Sequence, residues 1–471
     1  MSRRFRFEAP TDGRSMAAQV LHNLIETAPN SDLSELIRQA SEGLDRREIS
    51  LGLAIIYGTL TYIYPIEYVI AQLSSRPFEE LTPFLRTVLR LSFWQLIYAD
   101  RLPASAVVNE AGKLLHRYTH RGNVNYANAI LRAYLRRPVE IPADRPDLHF
   151  SMSSDMTDAF IEWYGREAAE IIMTALLERP PLTVRVNRSQ AEPEQVEADL
   201  IAQGAKPRPA RFMPGAYHLT LNESGLTESD SWRRGWITVQ GEAAQCAGSI
   251  CRPQPGQIVL DACAAPGGKT AQIIESLILR EKAYMPEGSR VVATDLSAQR
   301  LVKLNETLSR LRLSDYPGLT VRVEDAADKT AKQPETYDWI ILDAPCSALG
   351  LMAGSPDIRL NKSRESANAL LPLQADMLEV AAYQVRRGGY IIYCTCTLNP
   401  AENQEQVARF LLSDAGSDFS TVDLTEYLPT KLLALLADGL PGKETIRQGQ
   451  LTFLPGYHGT EGFFISLMKR N

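Results

Sequence analysis

The second half of the chain alternates short apolar segments with helix-like segments, and several of the apolar segments run directly into an acidic residue. This alternation is typical of a parallel β-sheet covered by helices on both faces. In open sheets of this kind, ligands bind at the carboxyl ends of the strands. We therefore expect a ligand site where these strands end. The segments predicted to be strands are residues 258–261, 291–295, 320–323, 339–343 and 390–395.

The first part of the chain has a helical periodicity instead. Apolar residues from Ala17 to Ile25 recur at the i, i+3, i+4, i+7 spacing of one helix face. Residues 125–137 repeat the pattern and end in a cationic turn. Pro138 and the turn formers up to Pro146 then interrupt it, so we interpret residues 138–150 as a linker.

Residues 151–235 mix both patterns. We predict helices over residues 155–178 and 193–203 and a short strand over residues 182–187. The chain is therefore expected to be multidomain. Its parts are an all-α domain at 1–140, a linker with a small α+β unit at 141–235, and an α/β domain at 236–471.

The charge is unevenly distributed along the chain. Residues 1–137 contain 17 Lys and Arg against 13 Asp and Glu, a net charge of +4. The whole chain has a net charge of −6, so residues 138–471 have a net charge of −10. A stretch without any acidic residue lies at 113–137. Its cations are either a solvated helix face or a contact surface for nucleic acid, and the sequence leaves both open. These cations are Lys113, Arg117, Arg121, Arg132, Arg136 and Arg137.

The N-terminal segment MSRRFRFEAP has arginines but no apolar core after them. It does not have the pattern of a secretory signal, so we expect a cytoplasmic protein.

Residues 49–66 are about as long as the shortest membrane-spanning helix. Because Thr, Gly and Pro65 dilute their hydrophobicity and Glu67 follows, a buried helix explains them as well, and we expect no membrane insertion.

All six cysteines lie between Cys246 and Cys396, which is not the distribution of a disulfide framework. A zinc site built from Cys246, Cys251, Cys394 and Cys396 is the alternative. Their spacings do not match paired C-x2-C knuckles, and no histidine lies nearby in sequence. We expect no metal.

The segment LDACAAPGGKT, residues 260–270, reads as a strand, a turn with two glycines and the start of a helix. Gly267 and Gly268 allow a ligand to approach the backbone closely, and the helix N-terminus can face an anion. The spacing does not fit the G-x4-G-K-[ST] phosphate loop. The carboxylate of S-adenosylmethionine is the alternative anion.

Two further carboxylates follow the next strands. Asp295 ends VVATD, where it could accept hydrogen bonds from ribose hydroxyls. Asp325 follows VRVED, where it could recognise an adenine amino group, although an isolated Asp after a strand is more often a helix N-cap. The succession of a glycine turn and two acids at three strand ends favours a cofactor site.

The segments 343–347 (DAPCS) and 393–397 (YCTCT) suggest the reaction. Carbon 5 of cytosine is not nucleophilic, but addition of a thiolate to carbon 6 makes it so. This chemistry needs a cysteine, an acid near ring nitrogen 3 and a base that removes the carbon-5 proton. Asp343 is the candidate acid. A single buried cysteine is usually a small hydrophobe, but two at adjacent strand ends are unusual.

The motifs DACAAPGGKT, DAPCSALG and CTCTLNPAENQEQV resemble the signature motifs of the Sun/Fmu family of RNA cytosine-5 methyltransferases. VQGEAAQ and LPGYHGTEGFFISLMKR are also similar to segments of that family. The N-terminal AVVNEAGKLLHRYTHRGNVNYANAILRAYLRR resembles the NusB-like RNA-binding domain fused to the bacterial small-subunit ribosomal RNA member. The resemblance implies an all-α NusB-like domain, a small α+β RNA-binding unit and an α/β Rossmann-like methyltransferase domain.

The resemblance also implies roles for residues. Cys396 would be the nucleophile, Cys346 would assist product release, and Asp343 would contact both base and cofactor. Asp325 would bind adenine. Apart from the resemblance, Lys269 is a candidate source of positive potential near the thiolate. The substrate would be a single-stranded or loop cytosine of small-subunit ribosomal RNA, and we expect a monomer. The residues implied to hold S-adenosylmethionine are Cys263, Ala264, Ala265, Pro266, Gly267, Gly268, Lys269, Asp295, Asp325 and Asp343.

The chain departs from the family pattern at two places. Cys394 stands where a serine is more usual, and Met352 begins the segment MAGS in place of a more basic stretch.

Two other functions remain open from sequence. A DNA cytosine-5 methyltransferase would use Cys346 as the nucleophile, and an RNA-binding or antitermination factor would use the helical domain on an inactive scaffold.

Overall fold

The structure, a computed structural model, describes residues 7–29, 31–99, 102–220, 225–284, 288–331 and 337–471. The first six residues, which belong to the segment tested for a secretory signal, lie outside this set. The chain forms two compact units. The first comprises the residues up to Glu162 together with Gly354–Ser363, and the second comprises Trp163–Ala353 and Arg364–Asn471.

The first unit is helical. Asp12, Asp32 and Asp45 each accept a hydrogen bond from a backbone N–H in the first turn of the following helix, which fixes where these helices begin. The apolar faces of the helices form one core. The helices are α1 Gly13–His22, α2 Leu33–Ala40, α3 Arg46–Thr61, α4 Ile63–Leu73, α5 Pro83–Tyr98, α6 Ala104–Tyr118, α7 Arg121–Arg136, α8 Pro146–His149 and α9 Ser154–Tyr164.

The apolar segment at 49–66 is divided between α3 and α4. Within the described ranges no single helix is long and apolar enough to cross a membrane, whereas α3 and α4 pass that test jointly but are bent by 79° at their junction. Ile55, Ile56, Leu60 and Ile66 are fully buried in the helical core. The apolar character of this segment therefore serves the packing of the helical unit.

A short segment from the second half of the chain, Gly354–Ser363, belongs to the helical unit, a feature that the sequence did not predict. It contains a 3-10 helix, and Arg359 is only 2% exposed. Nη1 of Arg359 donates to the carbonyl oxygens of Phe150 at 3.2 Å and Ser151 at 2.9 Å. The hydroxyl of Tyr64 donates to the Arg359 carbonyl at 3.1 Å. Arg359 thus fixes this segment to the helical unit.

The second unit begins with a small antiparallel sheet of order β2-β3-β1-β4. The single helix predicted over 155–178 is wrong, because Gly165 adopts a φ of +75° and separates α9 from α10. A positive φ ends a right-handed helix and favours glycine. The elements are α10 Arg166–Ala175, β1 Leu182–Val186, α11 Pro193–Ala202, β2 Lys206–Pro209, β3 Ala216–Thr220, α12 Asp230–Arg233 and β4 Ile237–Val239.

The large sheet has the order β10-β12-β9-β8-β5-β6-β7, with β11 paired to β12. Its strands are β5 Ile258–Asp261, β6 Arg290–Asp295, β7 Leu319–Val323, β8 Tyr337–Asp343, β9 Val385–Thr395, β10 Phe419–Thr421, β11 Gln450–Phe453 and β12 Phe463–Arg470. Its helices are α13 Glu242–Ile250, α14 Gly268–Tyr284, α15 Ala298–Arg310, α16 Arg364–Asn368, α17 Leu371–Gln384, α18 Gln404–Leu411 and α19 Thr430–Ala437.

The predicted strands correspond to β5 to β9, which pair in parallel. The prediction of parallel strands is confirmed for these five, and the sheet has in addition an antiparallel edge, where β12 runs antiparallel to β9, β10 and β11. No helix connects β11 to β12, and a return without a crossover helix produces an antiparallel pair. Asp261, Asp295, Asp343 and Thr395 end parallel strands and therefore lie along one edge.

Candidate active site

The turn after β5 carries the residues predicted to hold the cofactor. The N–H of Ala264 donates to the Thr294 carbonyl at 2.8 Å, and the N–H of Gly267 donates to the Ala264 carbonyl at 2.7 Å. Gly267 has a φ of +103°, and a Cβ at this position would lie 3.3 Å from Cγ of Leu304. Only glycine allows this tight turn into α14. Residues 263–267 therefore form one compact loop at the strand edge, and Gly268 and Lys269 begin α14 directly after it.

Asp261 gives this loop an unsatisfied acceptor. Its side chain is buried, and Oδ2 accepts a hydrogen bond from the hydroxyl of Thr270 at 2.6 Å. Oδ1 has no hydrogen-bond partner in the part of the chain that the structure describes. Burial raises the pKa of Asp261 to about 6. A buried lone acceptor beside a glycine turn fits a ligand with an N–H donor, such as the amino group of S-adenosylmethionine.

Asp295, at the end of β6, is buried and held in place. Its Oδ1 accepts a hydrogen bond from the N–H of Ser297 at 3.0 Å. Arg300 lies 3.1 Å from Oδ2 of Asp295 and donates to the Ala265 carbonyl at 3.0 Å. Arg300 thus links the carboxylate to the glycine loop. The sequence analysis missed Arg300, since nothing in the local pattern of α15 distinguishes it from a surface arginine.

Asp325 lies two residues beyond β7 and is exposed. Val323 pairs with Asp295 across the sheet, so Asp325 follows a strand adjacent to the one that carries Asp295. Its Oδ1 accepts a hydrogen bond from the N–H of Ala327 at 2.9 Å, which stabilises a turn. This geometry is an Asx turn and not a helix N-cap. The carboxylate has no ion-pair partner within the described ranges.

Lys269 and Asp343 form a partly buried ion pair. Nζ of Lys269 lies 2.6 Å from Oδ2 of Asp343, and the lysine side chain is 11% exposed. Burial disfavours the ammonium, but the carboxylates of Asp343 and Asp261 hold the pKa of Lys269 above its ordinary value. The other oxygen of Asp343 accepts a weak hydrogen bond from the thiol of Cys394 at 3.6 Å. The positive potential predicted for Lys269 is therefore directed at Asp343.

The thiols of Cys346 and Cys396 meet between the ends of β8 and β9. Their sulfur atoms lie 3.3 Å apart, and both side chains are partly accessible. The contact with Cys396 and burial raise the pKa of Cys346 well above its ordinary value. A hydrogen bond between the two sulfurs places the proton of one thiol next to the sulfur of the other.

Cys394 occupies a different position from Cys396. Strand β9 ends at Thr395, so Cys396 lies just beyond the strand and is not carried on the same face by strand alternation. Cys394 is fully buried, and burial with the nearby charge of Asp343 raises the pKa of its thiol well above the ordinary value. Of Cys394 and Cys396, it is Cys396 whose sulfur lies within hydrogen-bond distance of the Cys346 sulfur.

Glu402 is a further residue that the sequence analysis missed. It is fully buried, and its carboxylate binds the backbone N–H of Ser347 at 2.9 Å, next to Cys346. The sequence offered one signal, because Glu402 lies within the quoted motif CTCTLNPAENQEQV.

The remaining cysteines form no metal centre in the structure. Within the described ranges no group of three or more His, Cys, Asp or Glu residues is placed to hold a metal ion. Cys246 and Cys251 are buried in the core of the second unit, far along the chain from Cys394 and Cys396. All six cysteines are free.

Two solved structures have the same fold. The protein called PH0851 superimposes with a TM-score of 0.78 at 22% identity, covering 99% of this chain and 100% of that one. NSun6 from Pyrococcus horikoshii, solved with SFG, superimposes with a TM-score of 0.56 at 21% identity, covering 67% of this chain and 98% of that one. The fold, the glycine loop and the carboxylates at its edge define a Rossmann-like, S-adenosylmethionine-dependent methyltransferase.

The chain belongs to the RsmB/F family. Residues 249–469 match the model for the 16S rRNA methyltransferases RsmB/F, residues 11–136 the NusB family, and residues 156–223 the ferredoxin-like domain of RsmF/B-like methyltransferases. A relative from Synechocystis, a probable ribosomal RNA small subunit methyltransferase B, is 30% identical over 88% of this chain and 90% of its own length. The corresponding Yersinia pestis protein is 31% identical over 84% of this chain and 89% of its own length. The resemblance predicted from the motifs is confirmed.

Proposed function

We propose that the protein methylates carbon 5 of a cytosine in small-subunit ribosomal RNA through a covalent bond between Cys396 and carbon 6. The observation that carries the proposal is the 3.3 Å separation of the Cys346 and Cys396 sulfurs beside Asp343. This chemistry requires a nucleophile, an acid near ring nitrogen 3 and a group that takes the carbon-5 proton, and Cys396, Asp343 and Cys346 are the candidates for these roles. The names of the relatives, ribosomal RNA small subunit methyltransferases B, support the choice of substrate.

Cys396 begins the reaction as a thiolate that adds to carbon 6, which turns the ring into an enamine. As the candidate acid, Asp343 gives a proton to ring nitrogen 3 when the thiolate adds, and the resulting carboxylate accepts a hydrogen bond from that N–H. Lys269, 2.6 Å from Asp343, balances the charge of the carboxylate and fixes its orientation. When bound, S-adenosylmethionine supplies the methyl group that becomes attached to carbon 5.

Residues 263–269 and Asp295 would hold the cofactor, Asp343 would contact both it and the base, and Asp325 would bind the adenine. Release of the product requires loss of the carbon-5 proton and cleavage of the bond between carbon 6 and the Cys396 sulfur. Cys346 is placed to assist this elimination, because its sulfur lies against the sulfur that must leave. The contact with Cys396 and burial raise the pKa of Cys346, so it is a thiol that can give its proton to the departing Cys396 sulfur, and the Cys346 thiolate so formed takes the carbon-5 proton.

The substrate cytosine must leave its stack to reach Cys396, which favours single-stranded or loop RNA. In the helical unit, α6 and α7 border a groove of about 870 Å³. Lys113, Arg117 and Arg132 line it, so half of the cationic stretch at 113–137 faces one concave surface. This arrangement favours the RNA-contact interpretation of that stretch over a solvated face. We assign the same general role, RNA contact, to the ferredoxin-like unit.

The experiment that tests the proposal compares Cys396→Ala with Cys346→Ala on ribosomal RNA from cells that lack the protein. With labelled S-adenosylmethionine, Cys396→Ala should incorporate no label and form no adduct. Cys346→Ala should accumulate a protein–RNA adduct, seen as a shifted band on a denaturing gel. Methylation by Cys396→Ala but not by Cys346→Ala would instead support the DNA-type mechanism. No incorporation into any RNA by the unmodified protein would support a binding factor. Mapping 5-methylcytosine with and without the gene identifies the nucleotide.

A further inference from the structure

Glu402 is a fully buried carboxylate that the proposed reaction does not use. Its Oε2 accepts hydrogen bonds from the N–H of Ser347 at 2.9 Å and from Nε2 of Gln374 at 3.0 Å. Its Oε1 accepts hydrogen bonds from the Ser347 hydroxyl and from Nδ2 of Asn399 at 3.1 Å. Burying a carboxylate is costly unless its oxygens are fully hydrogen-bonded. Both oxygens of Glu402 are doubly hydrogen-bonded, so the carboxylate forms a specific network.

The partners of Glu402 lie on both sides of Cys346. Ser347, which follows Cys346, is held through its N–H and its hydroxyl. The carbonyl of Pro345, which precedes Cys346, accepts a hydrogen bond from Nε2 of Gln374 at 3.0 Å, and the same Nε2 donates to Glu402. The backbone at Cys346 is therefore fixed at both neighbours by one cluster.

The same cluster reaches the segment that carries Cys396. The hydroxyl of Ser347 lies 2.6 Å from the hydroxyl of Thr397, the residue after Cys396. The backbone carbonyl of Glu402 accepts a hydrogen bond from the Tyr393 hydroxyl at 2.7 Å. Tyr393 lies on β9, the strand that leads into the segment of Cys396. Glu402 thus connects two loops that follow different strands.

We propose that Glu402 is a positioning residue that holds the loops of Cys346 and Cys396 together, so that the two sulfurs stay in contact during release of the product. This inference rests on the proposed function, because it assumes that both cysteines act on one base. Glu402 acts through its neighbours, since its oxygens bind Ser347, Gln374 and Asn399 and neither sulfur. Loosening the cluster should slow release more than it slows addition of Cys396 to the base.

The test is Glu402→Gln, which keeps the size of the side chain but turns an amide NH2 toward N–H donors. Its matched control is Glu405→Gln, an exposed glutamate in α18. We expect kcat to fall about tenfold or more, the loss that accompanies one or two hydrogen bonds. The KM for RNA and the Kd for S-adenosylmethionine should stay within about twofold of the unmodified protein, because neither site is altered. The adduct should accumulate, as in Cys346→Ala.

A purely structural role would lower the melting temperature and weaken cofactor binding and kcat together. That pattern, or an unchanged kcat, would overturn the inference. If Glu402→Gln does not fold, Ser347→Ala carries the same test, since it removes the hydroxyl shared by Glu402 and Thr397 and leaves the carboxylate in place. Methylation by Cys396→Ala would reject the proposed function itself. Suppose instead that Cys396→Ala is inactive and Cys346→Ala forms the adduct, but Glu402→Gln does not form it. Only the positioning role would then be rejected.

Discussion

Nζ of Lys269 lies 2.6 Å from Oδ2 of Asp343, although 74 positions separate the two residues in the chain. The pair joins the glycine loop after β5 to the end of β8. The carboxylate of Asp343 raises the pKa of Lys269, whose side chain is only 11% exposed. An ammonium on Lys269 is therefore the expected state at neutral pH.

Replacing Lys269 by Met should reduce kcat by about 100-fold or more, the range expected when one group that orients charge in an active site is lost. Asp343 would lose its counter-charge and its fixed orientation. Single-turnover methylation of ribosomal RNA measures the effect. The exposed Lys303, replaced by Met, is the control. Full activity of Lys269→Met would show that the pair has no part in the reaction.

Replacing Cys394 by Ser should leave methylation within about threefold of the original, because a serine hydroxyl can donate to Asp343 more strongly than a thiol at 3.6 Å. The adduct in a Cys346→Ala background should persist. Methylation rates and the shifted gel band check both points. If the band disappeared with Cys394→Ser and remained with Cys396→Ser, Cys394 would be the nucleophile.

Asp261 should make stability depend on pH between about 4 and 6. Burial raises its pKa from 3.8 to about 6 in the folded protein. The stabilisation from its protonated form is fully present below the unfolded pKa and is lost as the pH rises through the folded pKa. The melting temperature of Asp261→Asn relative to the original should therefore increase from pH 4 to pH 8. A constant difference across this range would contradict the shift.

Replacing Gly350 by Ala should displace the loop of Cys396. The N–H of Gly350 donates to the Cys396 carbonyl at 3.0 Å, and a Cβ at Gly350 would lie 2.0 Å from the carbonyl oxygen of Gly462. The backbone must move, so we expect a loss of about 1–3 kcal/mol in stability and a larger relative loss in kcat. Thermal unfolding and methylation assays measure both. Gly112→Ala, where the nearest neighbour would be 3.9 Å away, is the control: it lies inside α6, so stability should not fall and should rise by about 1 kcal/mol.

The sequence allowed prediction of the strand ends and of the residues placed there. Each of β5 to β9 is marked by a local apolar segment, and Asp261, Asp295 and Asp343 follow directly from where those segments stop. Pairing of parallel strands then brings the carboxyl ends to one edge without further information. The cofactor loop was predictable for the same reason, since its glycines mark a turn at a strand end.

Features that depend on distant contacts could not be predicted in this way. Glu402 acquires its place only when the loops after β8 and β9 meet, and Arg300 only when α15 packs beside the cofactor loop. The break at Gly165 was missed because one glycine in a helical pattern costs only about 1 kcal/mol and is often tolerated. The antiparallel edge was missed because strand direction depends on how the chain returns, which periodicity does not encode.

The helical unit is encoded in two separate stretches of the gene, because Gly354–Ser363 completes it from within the second half of the chain. Exchanging N-terminal domains between relatives therefore cannot be done with one crossover. A chimaera that takes residues up to Glu162 from a relative would pack the native Leu360 against a foreign helical core. A substitution that changes the packing of one stretch has to be compensated in the other. We therefore expect residues of the two stretches to be inherited together and to co-vary.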